Sequence, residues 1–189
     1  LWDAAGQTTA IATGVSAGSY NVTITDANNC SSTTAITITE PSSVTASVVG
    51  TDVSCFGGSD GTATALGAGG TGAAYTFVWS TTAATTATIT GQSAGTVNVT
   101  VSDVNGCSDI STVTISEPAT AVSVTAVSTP ALCFGAASGT ATATPSGGTG
   151  AAYTFVWDAA GQTTATATGL LAAVYNVTAS DINGCSATT

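Results

Sequence analysis

An all-β fold, laid out as tandem β-sandwiches, follows from three observations on this 189-residue chain. The segment GGTGAAYTFVW at Gly69–Trp79 recurs letter for letter at Gly147–Trp157, 78 positions later. Within each copy, apolar and polar residues alternate with period two in short runs, and no run carries the 3.6-residue spacing of an amphipathic helix. Gly-rich turns separate the runs at roughly the 8- to 12-residue spacing of a sandwich of short strands.

The same register carries Trp2 to Trp79 and Trp157, Cys30 to Cys107 and Cys185, Cys55 to Cys133, and Glu40 to Glu117. The period is therefore about 77 residues, too long for one coil of a solenoid and suited to a string of small domains. The expected division is 1–40 as the C-terminal part of a first repeat, 41–118 as a complete second repeat and 119–189 as most of a third. Glu40-Pro41 and Glu117-Pro118 mark the boundaries, because proline lacks the donor needed to continue a strand ladder. Each unit is near the lower size limit for a single hydrophobic core. Leu1–Thr34 aligns with Val156–Thr189, so the chain reads as a window on a longer array.

In the second repeat the first strand is expected at Val44–Val49, where Val44, Ala46 and Val48 share one face. Gly61–Leu66 forms a second, and Gly67–Gly72 turns the chain. Tyr75, Phe77 and Trp79 fall on one face of a third strand, with Thr76 and Val78 on the other. Runs at Thr85–Thr90, Thr96–Ser102 and Ser111–Ser116 complete the set, the last with Val113 and Ile115 inward. The strongest hairpin signal is Asp-x-Asn-Gly-Cys at Asp103–Cys107 and Asp181–Cys185, with DANNC at Asp26–Cys30: an Asp that accepts backbone N–H bonds, then residues that tolerate the left-handed region.

Composition narrows function. There is no Lys, Arg or His against ten carboxylates, a net charge of −10. Nucleic-acid binding needs cationic side chains to displace counterions, and an anionic membrane surface needs them too, so neither is an expected partner. No segment reads as a membrane insertion, and no leader is visible. Salt bridges between side chains are ruled out, and so is a site for trypsin-like proteases. Catalysis finds no His or Lys base, no thiol with a cationic neighbour, and no nucleophile elbow or phosphate loop, so the expectation is a protein that is not an enzyme.

CFGGSDG at Cys55, GGTGAAYTFVW at Gly69, GLLAAVYNVTASDINGC at Gly169 and ITITEP at Ile36 together resemble the SprB repeat, a tandem β-domain of very large cell-surface adhesins of gliding Bacteroidota. The resemblance spans the chain. It implies an immunoglobulin-like or PKD-like sandwich in each repeat, secretion, an extracellular or cell-surface location, and a role in adhesion or gliding. Two departures stand out: Val97 where Tyr20 and Tyr175 stand, and FGAASG at Phe134 in place of the turn that contains Asp60.

In an extracellular chain, five Cys at two positions per repeat read as disulfides rather than buried free thiols. Pairing within a repeat gives Cys55–Cys107 and Cys133–Cys185, and leaves Cys30 to a partner outside the segment. Such a loop would stabilise by about 4 kcal/mol in the chain-entropy treatment. This pairing requires the four strands between the cysteines to run strictly up and down. If the connection after Trp79 crosses between sheets instead, Cys55 faces Cys185 of the next repeat. The within-repeat pairing is the expectation.

Asp26, Asp103 and Asp181, the carboxylates present in all three copies, are expected to cap their turns, with calcium as the alternative and the only cofactor considered. In that alternative Glu40 or Glu117 joins a neighbouring turn at a domain junction. Tyr75, Phe77 and Trp79 are expected in the core rather than as a sugar-stacking platform. Tyr20 and Tyr175 are placed for a tyrosine-corner-like bond. Asn21, Asn98 and Asn176 each begin Asn-Val-Thr, a glycosylation sequon on the outward face of the fifth strand. The expected role is the shaft of a secreted surface adhesin or extracellular filament, its partners neighbouring repeats or identical chains. The alternatives are a glycan- or calcium-binding module and a self-assembling fibre.

Overall fold

The computed structural model describes residues 1–4, 6–158 and 161–189, so Ala5 and the Ala159-Ala160 pair of the WDAAGQTTA motifs lie outside the described residues. Among the described residues every regular element is a strand, joined in antiparallel sheets. The first repeat contributes a hairpin of β1 (Gly18–Thr25) and β2 (Ser31–Ile38), with Trp2 bridged to Val22.

The second repeat is a two-sheet sandwich. One sheet has the order β3 (Thr45–Thr51), β4 (Gly61–Ala68), β6 (Thr88–Gln92); the other has β5 (Thr76–Trp79), β7 (Gly95–Ser102), β8 (Ser108–Ile115). The third repeat copies it with β9 (Ser123–Thr129), β10 (Gly139–Ser146) and β12 (Thr166–Leu170) in one sheet. Its other sheet holds β11 (Thr154–Trp157), β13 (Val177–Ser180) and β14 (Ser186–Thr188). The predicted runs coincide with strands except the fourth: Thr85–Thr90 becomes β6 at Thr88–Gln92, because residues 80–87 carry the chain from one sheet to the other.

That crossing is the topological centre of the repeat. β5 pairs with the second half of β7 (Trp79 opposite Val99, Thr76 opposite Ser102), whereas β6 pairs with the first half of β4 (Gly61 opposite Gln92, Thr64 opposite Thr88). Both run in the same direction. Together they make one ascent of the sandwich, its lower half in one sheet and its upper half in the other.

The core draws on both sheets. Ala63 and Ala65 of β4, Val99 and Val101 of β7 and Ile115 of β8 are buried together with Trp79, Ile89 and Val97, and Tyr75 and Phe77 lean against them. Alternation decides this, since residues two apart on a strand share a face. The indole N–H of Trp79 donates to Thr86 O at 2.9 Å, and Trp157 repeats the bond to Thr164 O. The aromatic strand thus belongs to the core, as expected.

Hydroxyl pairs take the place of surface ion pairs. Thr51 with Thr62, Thr64 with Thr88, Thr129 with Thr140 and Thr142 with Thr166 face each other across strands at 2.6–3.1 Å. Such cross-strand pairs contribute roughly 0.2–1 kcal/mol each and need no counter-ion.

Candidate functional site at the junction between repeats

The Asp-x-Asn-Gly-Cys turn is built around its first residue. In the turn after β7, Asp103 Oδ1 accepts the N–H groups of Asn105 (3.0 Å) and Cys107 (2.9 Å), while Oδ2 accepts that of Thr71 at 2.9 Å. Asp181 makes the same three bonds to Asn183, Cys185 and Thr149. Both carboxylates are buried, and the N–H of Thr71 or Thr149, reinforced by those of the turn, lowers each pKa from the ordinary Asp value. Asp26 caps its own turn through Asn28 and Cys30.

Thr71 and Thr149 belong to the recurrent GGTG segment, which explains its fixed glycines. Gly69 and Gly70 both adopt positive φ; a Cβ on Gly69 would run into Ser43 O, and one on Gly70 into Asp103 Oδ2 and Val44. Only glycine lets the loop lie this close to the carboxylate. Tyr75 then donates to Gly69 O at 2.7 Å, and Tyr153 to Gly147 O at 2.6 Å. Gly-loop, aromatic strand and Asp turn are therefore one locked assembly. Among the described residues no three His, Cys, Asp or Glu side chains gather as a metal site.

The opposite end of the sandwich holds the Cys55 loop, between β3 and β4. Asp60 Oδ1 accepts the Ser54 N–H at 2.9 Å, and in the third repeat Ser138 Oγ accepts that of Leu132 instead, so a hydroxyl replaces the carboxylate in the same cap. Glu117 closes the loop by accepting the Gly57 N–H. Within one repeat β3 and β8 lie alongside in the same direction: Asp109 accepts from Ala46 at the start of both strands, and Val53 N–H donates to Ser116 O at 2.9 Å beyond the end of both.

This geometry corrects the expected disulfides. Cys55 follows the end of β3 and Cys107 precedes the start of β8, so the eight residues of β8, roughly 26 Å of strand, hold them at opposite ends. The pairing Cys55–Cys107 fails because β5 and β6 count as one ascent, leaving three passes between the cysteines rather than four. Cys133–Cys185 fails in the same way. The bond that forms is Cys55–Cys185, between consecutive repeats, with Cα atoms 5.6 Å apart. Asn183 Nδ2 donates to Ser54 O at 3.2 Å. The third repeat's Asp turn is thereby seated on the second repeat's Cys loop. Cys30, Cys107 and Cys133 are exposed free thiols.

The remaining singled-out residues find simpler places. Asn21, Asn98 and Asn176 are exposed on the outward face. The Asn21 and Asn176 amides donate to Asp3 and Asp158 at 2.9 Å, whereas Asn98 offers its oxygen to Thr112. Tyr20 and Tyr175 donate to the carbonyls four residues upstream, Ser16 O and Leu171 O, the bond expected of a tyrosine corner. Sequence reasoning missed the bond from Thr71 to Asp103; the signal for it was the recurrence of GGTG and Asp-x-Asn-Gly-Cys in a common register.

Fold and junction together define a class: a tandem β-sandwich array in which a turn of one unit is covalently fastened to a loop of the unit before it. The SprB repeat model matches residues 47–84 and again 125–162, one segment in each of the second and third repeats. The SprB repeat is a structural unit of cell-surface, adhesin-like proteins. No curated protein matches the chain.

Proposed function

We propose that this chain is a load-bearing shaft of a secreted, extracellular adhesin or filament, with the domain boundaries at Glu40-Pro41 and Glu117-Pro118, and without catalytic activity. The observation that carries the reading is the Cys55–Cys185 bond across consecutive repeats. The recurrent motifs are spent on packing and capping: Trp79 in the core, Gly69 and Gly70 under Asp103, Asp103 on backbone N–H groups. A ligand site shared by the repeats would instead have left the copied residues exposed.

The staple also changes how tension enters the chain. With Cys55 and Cys185 joined, the residues between them are shielded from a pull applied at the two ends. Single-molecule stretching of the whole chain tests this. Under oxidising conditions those residues stay folded; adding reductant releases roughly 450 Å of further extension for the 130-residue separation. Extension without force peaks, in either condition, overturns the mechanical reading.

A further inference from the structure

The staple leaves two of its own halves unpaired in the same register. Cys107 occupies the position of Cys185, at the end of an Asp-x-Asn-Gly-Cys turn, and Cys133 occupies that of Cys55, 78 positions on, in the loop after the first strand of its repeat. The two loops keep the same cap but not the same cover: the Cys55 loop holds the third repeat's turn and its own repeat's Glu117, whereas the third-repeat positions equivalent to Ser116 and Glu117 fall after Thr189. Phe56, beside the bonded Cys55, is 51% exposed, while its counterpart Phe134 is fully exposed at 109%. Leu132 and Val174, on the same end of the third repeat, are 87% and 90% exposed.

From this we infer that the Cys133 end of the third repeat is a docking face for another copy of the same repeat, and that Cys133 forms a disulfide with the Asp-x-Asn-Gly-Cys cysteine of that copy. The occupant is set by the second repeat, whose equivalent end already carries such a turn, held by the Asn183 amide bond to Ser54 O and by the disulfide itself. Leu132 O stands where Ser54 O stands, and Leu132 keeps the loop cap through Ser138. The turn of the second repeat, with Asp103 holding Asn105 and Cys107, matches the seated turn bond for bond. Each repeat thus has a donor end, the turn cysteine, and an acceptor end, the loop cysteine. Bond formation needs an external disulfide as oxidant: the Cys133 thiolate displaces one of its sulfurs, and the turn thiolate of the docking copy then displaces the second. Two thiols are oxidised, the reagent is reduced to two thiols, and the protons pass to the departing thiolates.

The register of the chain supplies the test. Because Thr189 aligns with Thr34, a second copy of residues 35–189 joined directly after Thr189 continues the array in frame. Both the chain and this extended form are oxidised with glutathione disulfide, alkylated without reduction, and mapped by mass spectrometry after digestion with a protease that needs no Lys or Arg. The chain itself keeps three free thiols, Cys30, Cys107 and Cys133. The extension adds four cysteines, yet its free thiols remain about three, with Cys133 linked to Cys107 of the appended copy. Replacing Cys133 by Ser in the extended form frees that Cys107 and raises the count by one. Free Cys133 and free appended Cys107 overturn the proposal. So does a Cys133–Cys185 link, or loss of the Cys55–Cys185 link that serves as the internal record of correct seating.

Discussion

The hairpin of β1 and β2 and the hairpin of β7 and β8 are two copies of one sequence pattern in different surroundings. Val101 is wholly buried, whereas Ile24, its counterpart, is 68% exposed; Ile115 is buried at 1% where Ile38 is only partly covered. Strand pairing is complete in both, Gly18–Thr25 against Ser31–Ile38 and Gly95–Ser102 against Ser108–Ile115. What separates them is the opposing sheet. Backbone alternation makes the hairpin, but only the β3–β4–β6 sheet turns its apolar face into a core, and only the Gly69–Gly72 loop gives the turn carboxylate a third partner, from outside the turn.

The sharpest way to break this comparison is to place a charge at both equivalent positions. Val101→Asp buries a carboxylate with no donor and is expected to cost more than about 4 kcal/mol, whereas Ile24→Asp is expected to stay within about 0.5 kcal/mol. Urea unfolding of the two variants checks it, and equal losses would show that the first hairpin is packed in solution too. Next comes the turn. Asp103→Ala deprives three N–H groups of their acceptor, one of them in a loop 32 residues away, and lowers the urea midpoint more than Asp26→Ala, which deprives only two within its own turn.

Acid sharpens the same point without mutation. Asp103 and Asp181 have pKa values lowered in the folded state, so their contribution to stability is complete above the ordinary Asp value of about 3.9 and is lost as pH falls through their folded values. A melting temperature that is flat at higher pH and falls below about pH 4 is expected, and the Asp103→Ala variant should show a shallower fall. The smallest effect belongs to the hydroxyl ladder: Thr64→Val, which removes one partner of the Thr88 hydroxyl on an exposed face, is expected to cost no more than about 0.5 kcal/mol by the same urea measurement.

Much of this architecture was legible in the residues. Tyr75, Phe77 and Trp79 announced an inward strand, and the Asp-x-Asn-Gly-Cys turns announced hairpins, because both signals are local and periodic. The disulfide was not, because the residues alone are compatible with both the within-repeat and the between-repeat pairing. It depends on whether residues 80–87 change sheets, and Ser80–Ala87, rich in Thr and Ala, carries no alternation that distinguishes a strand from a crossing. The Thr71–Asp103 bond was hidden for a related reason: its partners are far apart in sequence, and the glycines beside Thr71 read equally well as a simple turn.

The divided ascent of β5 and β6 has a consequence for the direction in which the molecule grows. Counted as one pass, it gives the second repeat five passes from Thr45 to Ile115, an odd number, so the chain leaves at the end opposite the one where it entered. Two full passes in its place would make six and return the chain to its starting end, and successive units would double back on one another. Parity, set by an eight-residue crossing with no regular structure of its own, is what lets copies of this unit add length.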